Sequence, residues 1–180
     1  TAMTTSANAI TVPSRAYTVT FNYNGNGTAN TTATATWTFG GYYTATGGGG
    51  TQRIGANGYI TTNLTNTTYT ANATLYAKWT GGTVSLPSPT RTGYTFAGWY
   101  TAASGGTQVT SSTQIKSSQT LYAHWTANVY TITLNNQDAT TAGSTAIYEK
   151  YATGIYKESS CTTAMTTSAN AITVPSRAYT

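Results

Sequence analysis

Side chains able to do chemistry are few in this 180-residue sequence. There are three acids (Asp138, Glu149, Glu158), one histidine (His124) and one cysteine (Cys161). Acid–base catalysis by carboxylates usually needs a pair facing one bond, and these three are spread thinly along the chain. Calcium and magnesium take several oxygen ligands, commonly from clustered carboxylates. Zinc takes about four nitrogen or sulfur ligands, and only His124 and Cys161 are on offer. Gly47-Gly48-Gly49-Gly50 is followed by no Lys-Ser/Thr and opens no helix, so it reads as a turn and not as a phosphate cradle. The sequence therefore assigns no catalytic residue, no metal ligand and no cofactor, and the chain is read as not an enzyme.

The net charge of +5 comes from eight cations standing singly. Phosphate-dominated binding needs them clustered, so no nucleic-acid partner is expected. No run approaches the ~20 apolar residues of a membrane span, so no membrane insertion is expected in this segment. No signal peptide is visible, and the first residue is Thr. Only 6% of residues are charged, against roughly 25% in an average soluble domain. Threonine fills about a quarter of the chain. Such a surface fits an extracellular, cell-surface structural protein better than a cytosolic one.

The elements that would position any site are repeated. Residues 163–180 copy residues 1–18 letter for letter. The sequence thus reads as a 162-residue period plus an overlap cut from a tandem array, with 1–18 the end of a preceding unit. A tandem array expects the two copies to share strand pairing and neighbours in an assembled fibre. A shorter repeat lies inside the period. Trp37–Thr44 matches Tyr94–Thr101, Gly49–Gln52 matches Gly105–Gln108, and Leu75–Thr80 matches Leu121–Thr126. Tyr130–Asn135 echoes Tyr17–Asn22, and Pro13-Ser14-Arg15 echoes Pro89-Thr90-Arg91. The unit is read as three β modules, 19–80, 81–127 and 128–180, the third running into the next unit.

Strict alternation marks the strands. Tyr17, Val19, Phe21 and Tyr23 share one face of 17–23, and Tyr130, Ile132 and Leu134 share one face of 130–134. In 75–79, Leu75, Ala77 and Trp79 oppose Tyr76 and Lys78. Asn-Gly at 24–25 and 57–58 is turn chemistry. No helical stripe stands out, 141–153 being the least unlikely place for one. The fold class is mainly β, with Phe21, Phe39, Trp79, Phe96, Trp99 and Trp125 as the expected structural core. A module of ~50 residues buries little surface alone, so adjacent units or copies of the chain are the expected partners.

Pro89-Thr90-Arg91-Thr92-Gly93-Tyr94-Thr95-Phe96-Ala97-Gly98-Trp99-Tyr100-Thr101, followed by Leu121-Tyr122-Ala123-His124-Trp125-Thr126, resembles the internalin-type B repeat, or Listeria–Bacteroides repeat. Tyr17–Gly27 is similar to that family's opening strand. The resemblance covers 17–126 and reaches 127–180 only through an opening strand. It implies tandem small β-grasp-like modules, arranged as a repeat array or fibre in large secreted or surface-attached bacterial proteins. The roles implied are spacing, adhesion and scaffolding, with no catalytic residue to carry over. The sequence departs from the pattern at Tyr42, which stands where Trp99 does, at 83–86, an abbreviated opening strand, and at 16–18, which lacks the glycine found at 93.

His124 aligns with Lys78 at an outward strand position, which favours a solvated side chain over a general base. Cys161 could cross-link chains, although a lone thiol beside Ser159 and Ser160 is more often inert. Isopeptide cross-links are disfavoured by the scarcity of acids. Asn-x-Thr sequons at Asn26, Asn30, Asn63, Asn66 and Asn72 come cheaply in so threonine-rich a chain. The leading expectation is an extracellular structural repeat forming or spacing a fibre, stalk or layer. The alternatives are an adhesin that binds host or matrix glycans through exposed Tyr and Trp, and a discrete subunit polymerising by terminal strand donation.

Overall fold

A computed structural model of the chain describes residues 8–25 and 27–178. Among them the only helical element is a three-residue 3-10 turn at Thr46–Gly48. The strands are β1 (Arg15–Asn22), β2 (Thr31–Tyr43), β3 (Gln52–Ile54), β4 (Tyr76–Gly81), β5 (Tyr94–Tyr100), β6 (Gln108–Val109), β7 (Gln119–Ala127), β8 (Val129–Thr133), β9 (Ala146–Lys150) and β10 (Gly154–Tyr156). The protein is mainly β. One sheet runs β3-β2-β1-β7-β5-β6 with β4 also on β2, and the other runs β10-β9-β8.

The chain divides into two compact units. The first holds residues up to Tyr23, Gly27–Pro87 and Trp99–Tyr122; the second holds Ser88–Gly98 and the chain from Ala123 onward, with Asn24 and Gly25. In the first unit β1 is a central strand. It pairs antiparallel with β2, Val19 facing Ala33, and parallel with β7, Phe21 facing Leu121. The alternation of 17–23 has its reason there, since Val19, Phe21 and Tyr23 are buried. Phe21 and Tyr23 both meet Trp99, at ring-centroid distances of 4.8 and 5.4 Å. The polar tips of the indoles are satisfied as burial demands: Trp37 Nε1 donates to Ile115 O and Trp99 Nε1 to Pro87 O, each at 2.8 Å.

In the second unit β9 joins β8 and β10 antiparallel, with Ile147 opposite Ile132 and Tyr148 opposite Tyr156. The region 141–153, the least unlikely helix, is therefore strand followed by a turn in which Thr153 N bonds Lys150 O. Its β-branched and aromatic residues find cross-strand partners, and that outweighs any local preference. Residues 83–86 form no strand either. Val84 is buried, but the backbone there is irregular. Gly82 just before it takes φ +78°, and only glycine fits there, because a Cβ on that backbone would strike the Trp37 ring. At 24–25 both Asn24 and Gly25 take positive φ, the signature of a type I′ turn, whereas at 57–58 only Gly58 does.

The two identical segments meet different neighbours. Arg15–Thr18 run in β1 beside β2. In the other copy Arg177 bonds Asp138 and Ala178 N bonds Thr140 Oγ1, and just before them Ser176 bridges Thr141 and Ser144 N bonds Thr173 O. Within one chain the like neighbours expected of a tandem fibre are absent. Residues 1–7, 179 and 180 of the repeat lie outside the described residues.

The difference between β1 and β8 gives a stability test. Phe21→Ala removes a ring that is 2% exposed and should cost about 3–5 kcal/mol. Ile132→Ala, at 38% exposure, should cost less than about 1 kcal/mol. Urea unfolding of the two variants measures both.

Candidate functional site

Among the described residues His124, Cys161 and the three acids do not come together in a metal-binding cluster. One open hollow of about 540 Å³ is lined by Asn135, Asn136, Gln137, Asp138, Ala139 and Ala142. Its one charged residue, Asp138, bonds Arg177 Nη2 at 3.3 Å. The functional geometry lies instead in two matching aromatic stacks.

In the first unit the Arg15 guanidinium lies 4.3 Å from the Trp37 ring centre and 5.9 Å from that of Trp79. Register places it, since Arg15 faces Trp37 across the β1–β2 pair and Phe39 faces Trp79 across β2–β4. Phe39 and Trp79 meet at 5.5 Å and 61°. In the second unit the Arg91 guanidinium lies 3.9 Å from Tyr94 and 5.9 Å from Trp125. Phe96 and Trp125 meet at 5.4 Å and 59°. The Arg-Thr-Gly-Tyr turn sets this geometry. Tyr94 N bonds Arg91 O at 3.0 Å, and Gly93 takes φ +76° with a Cβ position only 2.2 Å from the Tyr151 ring. The glycine missing near 16–18 is not needed there, because Arg15 already sits within a strand.

The likeness extends to the turns that follow. Tyr43 faces Gln52 as Tyr100 faces Gln108. Thr44 N bonds Thr51 O at 3.1 Å, and Thr101 N bonds Thr107 O at 3.0 Å. Thr51 N and Thr107 N each bond the partner threonine's Oγ1 at 2.9 Å. Threonine here closes turns, which accounts for some of its abundance.

Of the six residues expected as core, Phe21, Phe39 and Trp99 are buried. Trp79, Phe96 and Trp125 are half-buried, and the two indoles carry the guanidinium stacks. Lys78 is also half-buried, its stem against Gly40 and its ammonium 5.6 Å from the Tyr43 ring centre. His124, its counterpart, is half-buried too. The outward position at 78 and 124 is therefore partly covered, not fully solvated. Asn30, Asn63, Asn66 and Asn72 are exposed, and Asn26 lies outside the described residues.

Cys161 is a free, half-buried thiol. It sits in a turn at φ +53°, its N–H bonding Glu158 O. The Glu158 carboxylate accepts from Thr162 Oγ1, Thr162 N and Thr163 N. The Thr162 hydroxyl is the largest cause holding its pKa below the usual glutamate range, followed by the Thr163 amide.

Residues 80–124 match the Listeria-Bacteroides repeat domain. This stretch is similar to a Listeria-Bacteroides repeat. It holds the second stack's Arg91, Tyr94 and Phe96, while Trp125 falls one residue beyond the match. The first stack repeats the same contacts on the matching sequence of 37–80. No curated protein and no solved structure gives a match. The repeat family is a surface-protein module and is not known for enzymatic activity. Listeria-Bacteroides repeats occur in bacterial surface proteins.

Two predictions follow from this geometry. Arg91→Ala should cost about 0.5–1 kcal/mol, the worth of an accessible cation–π contact. Arg91→Lys should recover only part of that, because the planar stack is lost; urea unfolding reads both. Glu158 has a lowered folded pKa, so its contribution is present at neutral pH and is lost as pH falls through that folded value. Protection of the Thr162 and Thr163 amides from exchange, corrected for intrinsic rates, should accordingly hold at pH 7 and disappear only below the usual glutamate range.

Proposed function

We propose that the chain is a stretch of a tandemly repeated structural protein displayed outside a bacterial cell, where its β modules space or build a fibre, stalk or layer. The observation that carries this reading is the recurrence of one geometry, Arg over aromatic over Trp, in two successive segments, one of which is similar to a Listeria-Bacteroides repeat. A motif repeated with its contacts intact, and with no reactive group in it, serves construction. The modules are of the small β-grasp-like kind, with turn-rich segments at 55–75 and 101–118 in place of a crossing helix. The 162-residue recurrence of 18 identical residues supports the larger period. One face each of Trp37, Trp79 and Trp125 lies under a guanidinium, which favours the structural role over sugar stacking.

The mass of the natural polypeptide under reducing, denaturing conditions tests the proposal. A chain many times 18.8 kDa is the expected outcome. Subunits of about that mass would instead support discrete protomers and overturn the tandem array.

A further inference from the structure

Two kinds of strand recur in this chain. The opening strands are β1 (Tyr17-Thr18-Val19-Thr20-Phe21-Asn22) and β8 with its extension (Tyr130-Thr131-Ile132-Thr133-Leu134-Asn135). The closing strands are β4 (Leu75-Tyr76-Ala77-Lys78-Trp79-Thr80 with its lead-in) and β7 (Leu121-Tyr122-Ala123-His124-Trp125-Thr126). One of each is joined: β1 runs parallel to β7, with Val19 opposite Gln119, Thr20 opposite Thr120 and Phe21 opposite Leu121.

The other two are left over. β8 pairs only with β9 and stands at the edge of its sheet, and β4 pairs only with β2. Their conformations record the missing neighbour. All five residues of β8 are exposed, although its sequence is that of a strand whose Val19 and Phe21 are buried in β1. β7 is strand from Gln119, whereas the equivalent lead-in Ala73-Thr74-Leu75 is not strand and β4 starts at Tyr76. The missing stretch is the one that β1 pairs with in β7. Neither edge carries a device that blocks pairing. β8 has no proline, charge or bulge, and the only lysine of β4 is folded back over Tyr43.

We infer that the open edge of β8 in one copy of this unit receives β4 of the next copy as a parallel strand, in the register of β1 on β7. Transferring that register sets Ile132 opposite Ala73, Thr133 opposite Thr74 and Leu134 opposite Leu75. The occupant is a second copy because the chain itself carries both halves of the joint, unused, and a worked example of the same joint made. The order of the modules agrees. β1 of the first module takes the closing strand of the second, so β8 of the third takes the closing strand of the next unit's first. The middle module has no opening strand at 83–86, and no closing Leu-Tyr-Ala-x-Trp follows residue 128. No other strand of either kind is left unmatched among the described residues. The two edges are different surfaces, so the contact is head-to-tail and each added copy leaves one edge of each kind to continue the series. The inference rests on the repeat-array reading in that the next copy is the following unit.

Disulfide trapping of the 180-residue chain tests it. Two variants are made in a Cys161→Ser background, Thr133→Cys and Thr74→Cys, both at exposed positions outside the core. Adjacent strands bring such pairs within disulfide reach. Mixing the two under mild oxidation should give a disulfide-linked species of doubled mass joining one chain of each kind. Thr133→Cys mixed with Thr80→Cys, at the far end of β4, should give none. No cross-link with Thr74→Cys, or equal yields with both partners, overturns the joint. The natural polypeptide's mass is read separately, so a very long chain that fails to cross-link discards the joint and leaves the array standing.

Discussion

The parallel pairing of β1 with β7 is the constraint on which the first unit depends. It ties residues near 20 to residues near 120, a long loop closure whose entropy must be offset by what the contact buries. Phe21, Trp99, Leu121 and Val19, all under 3% exposed, supply that burial together. Without β7, β1 would be an edge strand on β2 and its apolar face would lack half its cover. The comparison is built into the chain, because β8 has nearly the same sequence and lacks that neighbour.

Scarcity of acids shapes the electrostatics in a related way. With three carboxylates for eight cations, ordinary ion pairing is unavailable to most of them, and the one ion pair among the described residues, Arg177 with Asp138, is exposed. Arg15, Arg53, Lys78 and Arg91 lie over tyrosine or tryptophan rings instead. An aromatic quadrupole attracts a cation without having to be stripped of its own charged hydration. It also brings apolar area, so one side chain both packs the sheet and partners the arginine. A surface built this way is only weakly charged overall, and it relies on the rings to hold its cations in place.

Much of this was legible in the residues. Alternation places β1, β4 and β8 within a residue or two, and the internal match of 37–52 with 94–108 has its counterpart in the pairs Tyr43–Gln52 and Tyr100–Gln108, although β2 with β3 shifts register at Tyr42, which faces Ile54, while Trp99 faces Val109. The Arg-over-aromatic stacks are harder to read, because Arg91 stands three residues before Tyr94 whereas Arg15 stands 22 before Trp37 and reaches it only through the β1–β2 pairing. No helical stripe stands out in the sequence, and 141–153, the least unlikely place for one, holds no helix; 83–86 reads as an abbreviated opening strand and is not strand. At 141–153 cross-strand partners make a strand and a turn; at 83–86 Val84 is buried without any strand pairing. Burial at Trp79, Phe96 and Trp125 could not be read from residue type, because it depends on what lies over each ring.

Local sequence therefore decides that a segment is strand, and neighbours decide whether the strand is buried. Tyr-Thr-Val-Thr-Phe-Asn and Tyr-Thr-Ile-Thr-Leu-Asn carry the same alternation and both become strands. Only the one flanked on both edges hides its apolar residues. The same holds for Arg15 and Arg177, identical in their local sequence, one stacked on Trp37 and the other held by an exposed carboxylate. In a chain made of near-copies, such asymmetry shows which strand edges are covered and which are open. A single repeat cannot satisfy every edge it creates. An unsatisfied opening strand together with an unsatisfied closing strand is the arrangement that makes a module extendable, since each added copy consumes one open edge and presents another.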